Sequence, residues 1–165
     1  MEQLLSRNIV DELIVTPAGS PWMRTPAPLA AGEDRLAMVK LAIATLPSDV
    51  QRRITVSESE IRRAGHTYTI DTVLEAKAQN PNEQLVLILG SDAFSTIAQW
   101  HRSEELRSLV EIFVIAREGV GFDIDALAIS SSSIREKISS KQDLSNELPE
   151  SVWSYIQERN LYASK

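Results

Sequence analysis

An α/β fold, with a parallel sheet and helices on both faces, is what this sequence predicts, on three observations. Apolar, β-branched runs alternate along the chain with stretches of helical spacing. The two strongest runs, residues 84–89 and 111–116, are unbroken, as parallel strands covered on both faces are. Polar, tightly turned segments follow the strands, which is where an open parallel sheet binds its ligands.

The elements follow in order. Leu4 and Leu5 read as the tail of a helix. Residues 9–15 are a β-branched strand, stopped by Thr16, Pro17, Ala18 and Gly19. Pro17, Pro21, Pro26 and Pro28 make residues 17–30 a loop. Leu36, Val39, Lys40, Ile43 and Leu46 lie three and four residues apart, so a helix is predicted over 32–46, with Pro47 ending it. A short strand over 54–56 precedes a polar stretch that turns at Gly65. Thr69 can cap a helix running to residue 79. The strand at 84–89 stops at Gly90-Ser91-Asp92, and short helices are expected over 93–98 and 103–109. After the strand at 111–116 come a short strand at 126–129 and helices over 131–139 and 149–159, the second with Pro149 in its first turn. With no repeat, low-complexity tract or linker, residues 1–165 are expected to form one domain, with 131–165 as a C-terminal helical part.

Composition removes several classes of function. There is no cysteine, which excludes disulfides, thiolate catalysis and cysteine-based metal sites. No apolar run reaches the ~20 residues of a membrane-spanning helix, and Met1-Glu2-Gln3 does not begin a secretory signal. A cytoplasmic protein with no membrane partner is expected. The net charge of −6 argues against a nucleic-acid partner, since long nucleic acid calls for a basic face. A small anionic ligand needs only a few well-placed cations. His66 and His101 lie on separate segments without metal-ligand spacing, so no protein metal site is expected. No Walker sequence or G-x-G-x-x-G occurs.

The post-strand segments carry the candidate chemistry, each with a plainer alternative. Ser130 or Ser131 can cap the helix that Ile134 continues. With Ser132, the free N–H groups of that helix start and the guanidinium of Arg135, the same turn can bind a phosphate. Gly90 allows close backbone approach and Asp92 can accept from ribose hydroxyls or help hold a metal, or Asp92 simply caps the next helix. Thr67, Tyr68 and Thr69 can present hydroxyls or backbone N–H groups to a carboxylate, or merely start a helix. Trp100 can stack on a flat heteroaromatic ring with Arg102 near an anion, or plug the core. Arg24, beside Trp22, is a phosphate ligand or a solvated loop charge.

Taken in this order, the segments resemble the bacterial nicotinate mononucleotide adenylyltransferases. The matching stretches are Thr16-Pro17-Ala18-Gly19-Ser20-Pro21-Trp22 with Arg24, Glu33-Asp34-Arg35-Leu36-Ala37-Met38, Thr67-Tyr68-Thr69-Ile70-Asp71-Thr72, Gly90-Ser91-Asp92-Ala93, Trp100-His101-Arg102, Ile129 through Arg135, and Leu148-Pro149-Glu150 with Leu161-Tyr162. The resemblance implies a Rossmann-like fold of nucleotidyltransferase type and adenylyl transfer from ATP to nicotinate mononucleotide, with Mg²⁺ accompanying ATP. It implies that Ser130, Ser131, Ser132 and Arg135 meet the ATP phosphates, Arg135 being the catalytic cation. Gly90 and Asp92 would meet the adenylate ribose. Thr67 and Tyr68 would position the nicotinate carboxylate, Trp100 would stack on the pyridine ring, and Arg24 would face a phosphate. A homo-oligomer is left open.

One departure stands out. The family opens with a strand, a Gly-Gly-x-Phe loop and an H-x-G-H motif, and none of these occurs among the 165 residues. The first strand is therefore expected to be missing here and encoded upstream of Met1. The alternatives are a non-catalytic nucleotide-binding relative, a chain whose sheet edge a partner completes, a structural or dimerising domain, and another nucleotidyltransferase such as the pantetheine-phosphate type.

Overall fold

Parallel pairing builds both sheets of the computed structural model, which describes residues 1–23, 30–115, 130–140, 142–144 and 147–162. The elements in chain order are α1 (Glu2–Ser6), β1 (Leu13–Val15), α2 (Gly32–Ala44), α3 (Ser48–Gln51), β2 (Ile54–Val56), α4 (Ser59–Arg62) and α5 (Thr69–Gln79). Then come β3 (Val86–Gly90), α6 (Ser91–Ser95), a 3-10 turn (Ile97–Gln99), α7 (Ser103–Leu109), β4 (Glu111–Ile115), α8 (Ser131–Ser139) and α9 (Glu150–Glu158). Two units are distinguished: Met1–Arg63 with Ile129–Lys165, and Ala64–Ala128.

In the first unit, β1 pairs in parallel with β2, Leu13 opposite Ile54 and Val15 opposite Val56. Parallel neighbours need a crossover, and α2 and α3 supply it. The strand is shorter than the predicted span 9–15. Arg53 takes the carbonyls of Leu5 (2.9 Å), Val10 (2.9 Å) and Asp11 (2.6 Å), so these backbone groups are satisfied by a side chain and not by a ladder. Pro47 ends α2 as expected, but it also N-caps the four-residue α3, which the sequence reading missed. The short α4 was missed too. Its Ile61 lies so close to Gly32 that a Cβ there would sit 3.1 Å from the Ile61 side chain, which fixes the start of α2. On its far side α2 packs against α9.

In the second unit, β3 and β4 run parallel from Val86 opposite Glu111 to Gly90 opposite Ile115. α5 and α7 pack together, with Ile70, Val73 and Leu106 buried between them and Tyr68, Leu87 and Trp100 around the cluster. Ile70 and Leu106 are completely buried, each contributing about 1.5–3 kcal/mol by area. Gly65 holds φ +81°, the left-handed turn its position demands. Tyr68, not Thr69, occupies the cap position of α5, in extended conformation and without a side-chain cap bond. Pro149 likewise is the N-cap of α9 and not a first-turn residue. The strand predicted at 126–129 lies outside the described residues. Among the described residues, no helix is long and apolar enough to cross a membrane.

Candidate active site

The carboxyl end of β3 is the most open of the predicted positions. Gly90 ends the strand and N-caps α6 with φ −71° and ψ 157°, ordinary extended backbone. A Cβ built on it would meet no atom within 4 Å. Neither backbone geometry nor packing therefore requires glycine here, and the exposed position suits close approach of a ligand. Asp92 is exposed in the first turn of α6, and Gly90 holds the N-cap position.

Tyr68 and Trp100, both read from the sequence as mononucleotide contacts, lie against the same apolar cluster. The Trp100 indole Nε1 donates to Thr96 Oγ1 at 3.3 Å. Its plug role is thus real, with the indole N–H anchored. His101, to which the sequence assigns no binding role, lies against Tyr68 with ring centroids 4.3 Å apart and planes tilted by 37°. Its adjacency to Trp100 was the available signal. Thr67 is 4% exposed, and its Oγ1 has no hydrogen-bond partner among the described residues. A hydroxyl in that state costs about 1–3 kcal/mol unless something accepts from it. Arg102 does not wait for an anion. It stands at φ 52°, forks onto Glu105 through two 2.6 Å bonds and approaches Asp71 at 4.0 Å. The Glu105 carboxylate holds its pKa above the ordinary guanidinium value.

In the first unit, α8 begins as the serine run predicts. Ser130 is the N-cap, and its Oγ accepts from the Ser133 N–H at 3.0 Å. Ser131 and Ser132 are exposed in the first turn. The Arg135 guanidinium reaches back along the helix, donating to Ser132 Oγ at 3.1 Å. A cation, hydroxyls and the positive end of a helix dipole are thereby gathered on one turn. At the carboxyl end of β1, Arg35 donates to the carbonyls of Ala18, Gly19 (2.8 Å) and Ala30 (2.5 Å). The sequence reading quoted Arg35 without giving it a role. Arg24 lies outside the described residues. Among the described residues, no cluster of three or more His, Cys, Asp or Glu could hold a metal ion.

Two parallel pairs with crossover helices, and polar turns at the strand ends, define a nucleotidyltransferase-type α/β protein. The cytidylyltransferase-like family matches residues 4–137. The Plasmodium falciparum nicotinic acid mononucleotide adenylyltransferase shares the fold. In its complex with NaAD the TM-score is 0.76 at 23% identity, covering 98% of this chain and 89% of that one. In its complex with APC the TM-score is 0.67 at 20% identity, with the same coverage of 98% and 89%. A Mycolicibacterium vanbaalenii protein named a probable nicotinate-nucleotide adenylyltransferase is 32% identical over 183 residues, 99% of this chain and 83% of that protein. One of the same name from Frankia casuarinae is 36% identical over 167 residues, 93% of this chain and 85% of that protein. The chain belongs to the nicotinate-nucleotide adenylyltransferase family.

Proposed function

We propose that this chain carries out adenylyl transfer from ATP to nicotinate mononucleotide in the cytoplasm, forming nicotinate adenine dinucleotide and pyrophosphate. The observation that carries the reading is kinship along almost the whole chain, 32% and 36% identity over 99% and 93% of it. In the reaction a phosphate oxygen of the mononucleotide attacks the α-phosphorus of ATP, and the bond to the pyrophosphate oxygen breaks. No covalent enzyme intermediate is needed, so the protein works by alignment and by neutralising charge.

The roles follow the division of labour that the family resemblance implies. Ser131, Ser132 and the α8 N–H groups receive the ATP phosphates, and Arg135, already turned along that helix start, neutralises the growing charge. Ser130 serves the same turn by capping it. Gly90 and Asp92 take the adenylate ribose. The buried Thr67 hydroxyl and Tyr68 meet the nicotinate carboxylate, and Trp100 offers its ring to the pyridine. Arg24 takes the mononucleotide phosphate.

Mg²⁺ enters with ATP as a counter-ion to its phosphates.

The test is pyrophosphate release from ATP, with and without nicotinate mononucleotide, by this chain and by a form extended in frame to include an H-x-G-H segment. Release that requires both substrates is expected. Calorimetric binding of both nucleotides without release from either form would make the protein a non-catalytic binder. Neither binding nor release would end the reading.

A further inference from the structure

Arg35 spends its donors in an unusual way. Both terminal nitrogens of its guanidinium go to backbone carbonyls: Nη2 to Ala18 and to Gly19 at 2.8 Å, Nη1 to Ala30 at 2.5 Å. The residue stands in the first turn of α2 and is half-buried. Gly19 is also gripped from the other side, its N–H donating to Glu60 Oε2 at 3.3 Å. The Ala18-Gly19 turn follows β1, and the parallel ladder ends just before it, where Ser57 N–H meets the Val15 carbonyl at 2.9 Å. Beyond that bond, two side chains take over the work of the ladder.

We propose that Arg35 is a positioning residue: by tying the Ala18-Gly19 turn to the start of α2, it sets the affinity for the mononucleotide. The inference rests on the function proposed above, in which Arg24, a few positions beyond this turn, meets the mononucleotide phosphate. The turn itself lies at the carboxyl end of a parallel strand, the rim where such sheets bind ligands. Among the described residues Ala18 and Gly19 belong to no helix or strand, so the Arg35 fork and Glu60 hold them in place. A planar guanidinium can serve two carbonyls on one side and a third on another. A lysine ammonium keeps the charge but cannot hold that geometry.

The experiment compares wild type, Arg35→Lys and Arg35→Ala, all as the full chain, by calorimetry and by amide hydrogen exchange. Both variants should weaken nicotinate mononucleotide binding by about tenfold while ATP binding changes by less than about threefold. Millimolar guanidinium ion should restore part of the loss in Arg35→Ala and none in wild type. Exchange should quicken over residues 16–23 and stay unchanged in β3 and α5. Equal weakening for both nucleotides, unchanged mononucleotide affinity, or unchanged exchange over 16–23 would overturn the proposal. A wild-type chain that binds no mononucleotide would overturn the functional reading and the link to affinity, while exchange would still decide whether Arg35 holds the turn.

Discussion

Tyr155 donates its hydroxyl to Asp34 Oδ1 across 2.9 Å, joining residues 121 positions apart. Arg159 donates to the same oxygen through Nε (3.2 Å) and Nη2 (3.1 Å). Asp34 is only 6% exposed, so these donors keep a carboxylate satisfied inside the protein. They also tie α9 to the first turn of α2, next to Arg35. The helix start that holds the Ala18-Gly19 turn is thus itself held from the C-terminal part of the chain.

Asp34→Ala should lower the urea midpoint, since it removes the acceptor that the Tyr155 hydroxyl and the solvent-exposed Arg159 head share. Urea unfolding of the two proteins measures this. The same contact has a pH signature. Donation to Asp34, with burial adding to it, raises the Tyr155 pKa above its usual 10.0. A raised folded-state value means the contribution is complete below the unfolded value, about 10, and is lost as pH rises through the folded one. Tyr155→Phe should flatten the alkaline limb of the stability profile. Identical alkaline losses in variant and wild type would refute the assignment.

Gly65 and Gly90 should respond oppositely to alanine. Gly65 sits at φ +81° with open space around it, so Gly65→Ala meets only backbone strain, about 1–2 kcal/mol, read as a lower urea midpoint. Gly90→Ala should leave stability within about 0.5 kcal/mol, because its φ is ordinary and its Cβ meets nothing. Its effect should fall on ATP, as a raised KM. A variant with unchanged ATP kinetics would remove Gly90 from the ribose site.

The serines of α8 separate capping from binding. Ser130→Ala should lose about 1 kcal/mol, because the Ser133 N–H loses its acceptor. Ser132→Ala touches no cap and should leave the unfolding midpoint unchanged. It frees the Arg135 guanidinium from its 3.1 Å contact and should raise the KM for ATP. Equal losses of stability from both substitutions would show that the run serves only the helix.

Elements with strong local signals were legible before any coordinates. The bounds of α5, Thr69–Gln79, follow from apolar spacing between the Gly65 turn and the end of the periodic stretch. The strand at Ile54–Val56 follows from its β-branched residues. The candidate residues were found as positions after strands: Gly90 and Asp92 after β3, and the serine run at the start of a helix. What was misread depended on partners far along the chain. The predicted strand at 9–15 shrank to Leu13–Val15 because Arg53, 42 to 48 positions away, captures the carbonyls before it. The contact of His101 with Tyr68 joins residues far apart in the chain, and local spacing carries no mark of it.

The sequence by itself determined the longer helices, the main strands and the family to which the chain is akin. Those properties come from side-chain periodicity and turn chemistry, which operate between residues a few positions apart. Only the tertiary structure decided what the charged side chains of α2 do: that Arg35 holds carbonyls and that Asp34 anchors α9. A guanidinium or carboxylate is equally at home in water or against several partners. Its choice is made by whichever group chain reversal brings within about 3 Å, a distance that linear order does not encode.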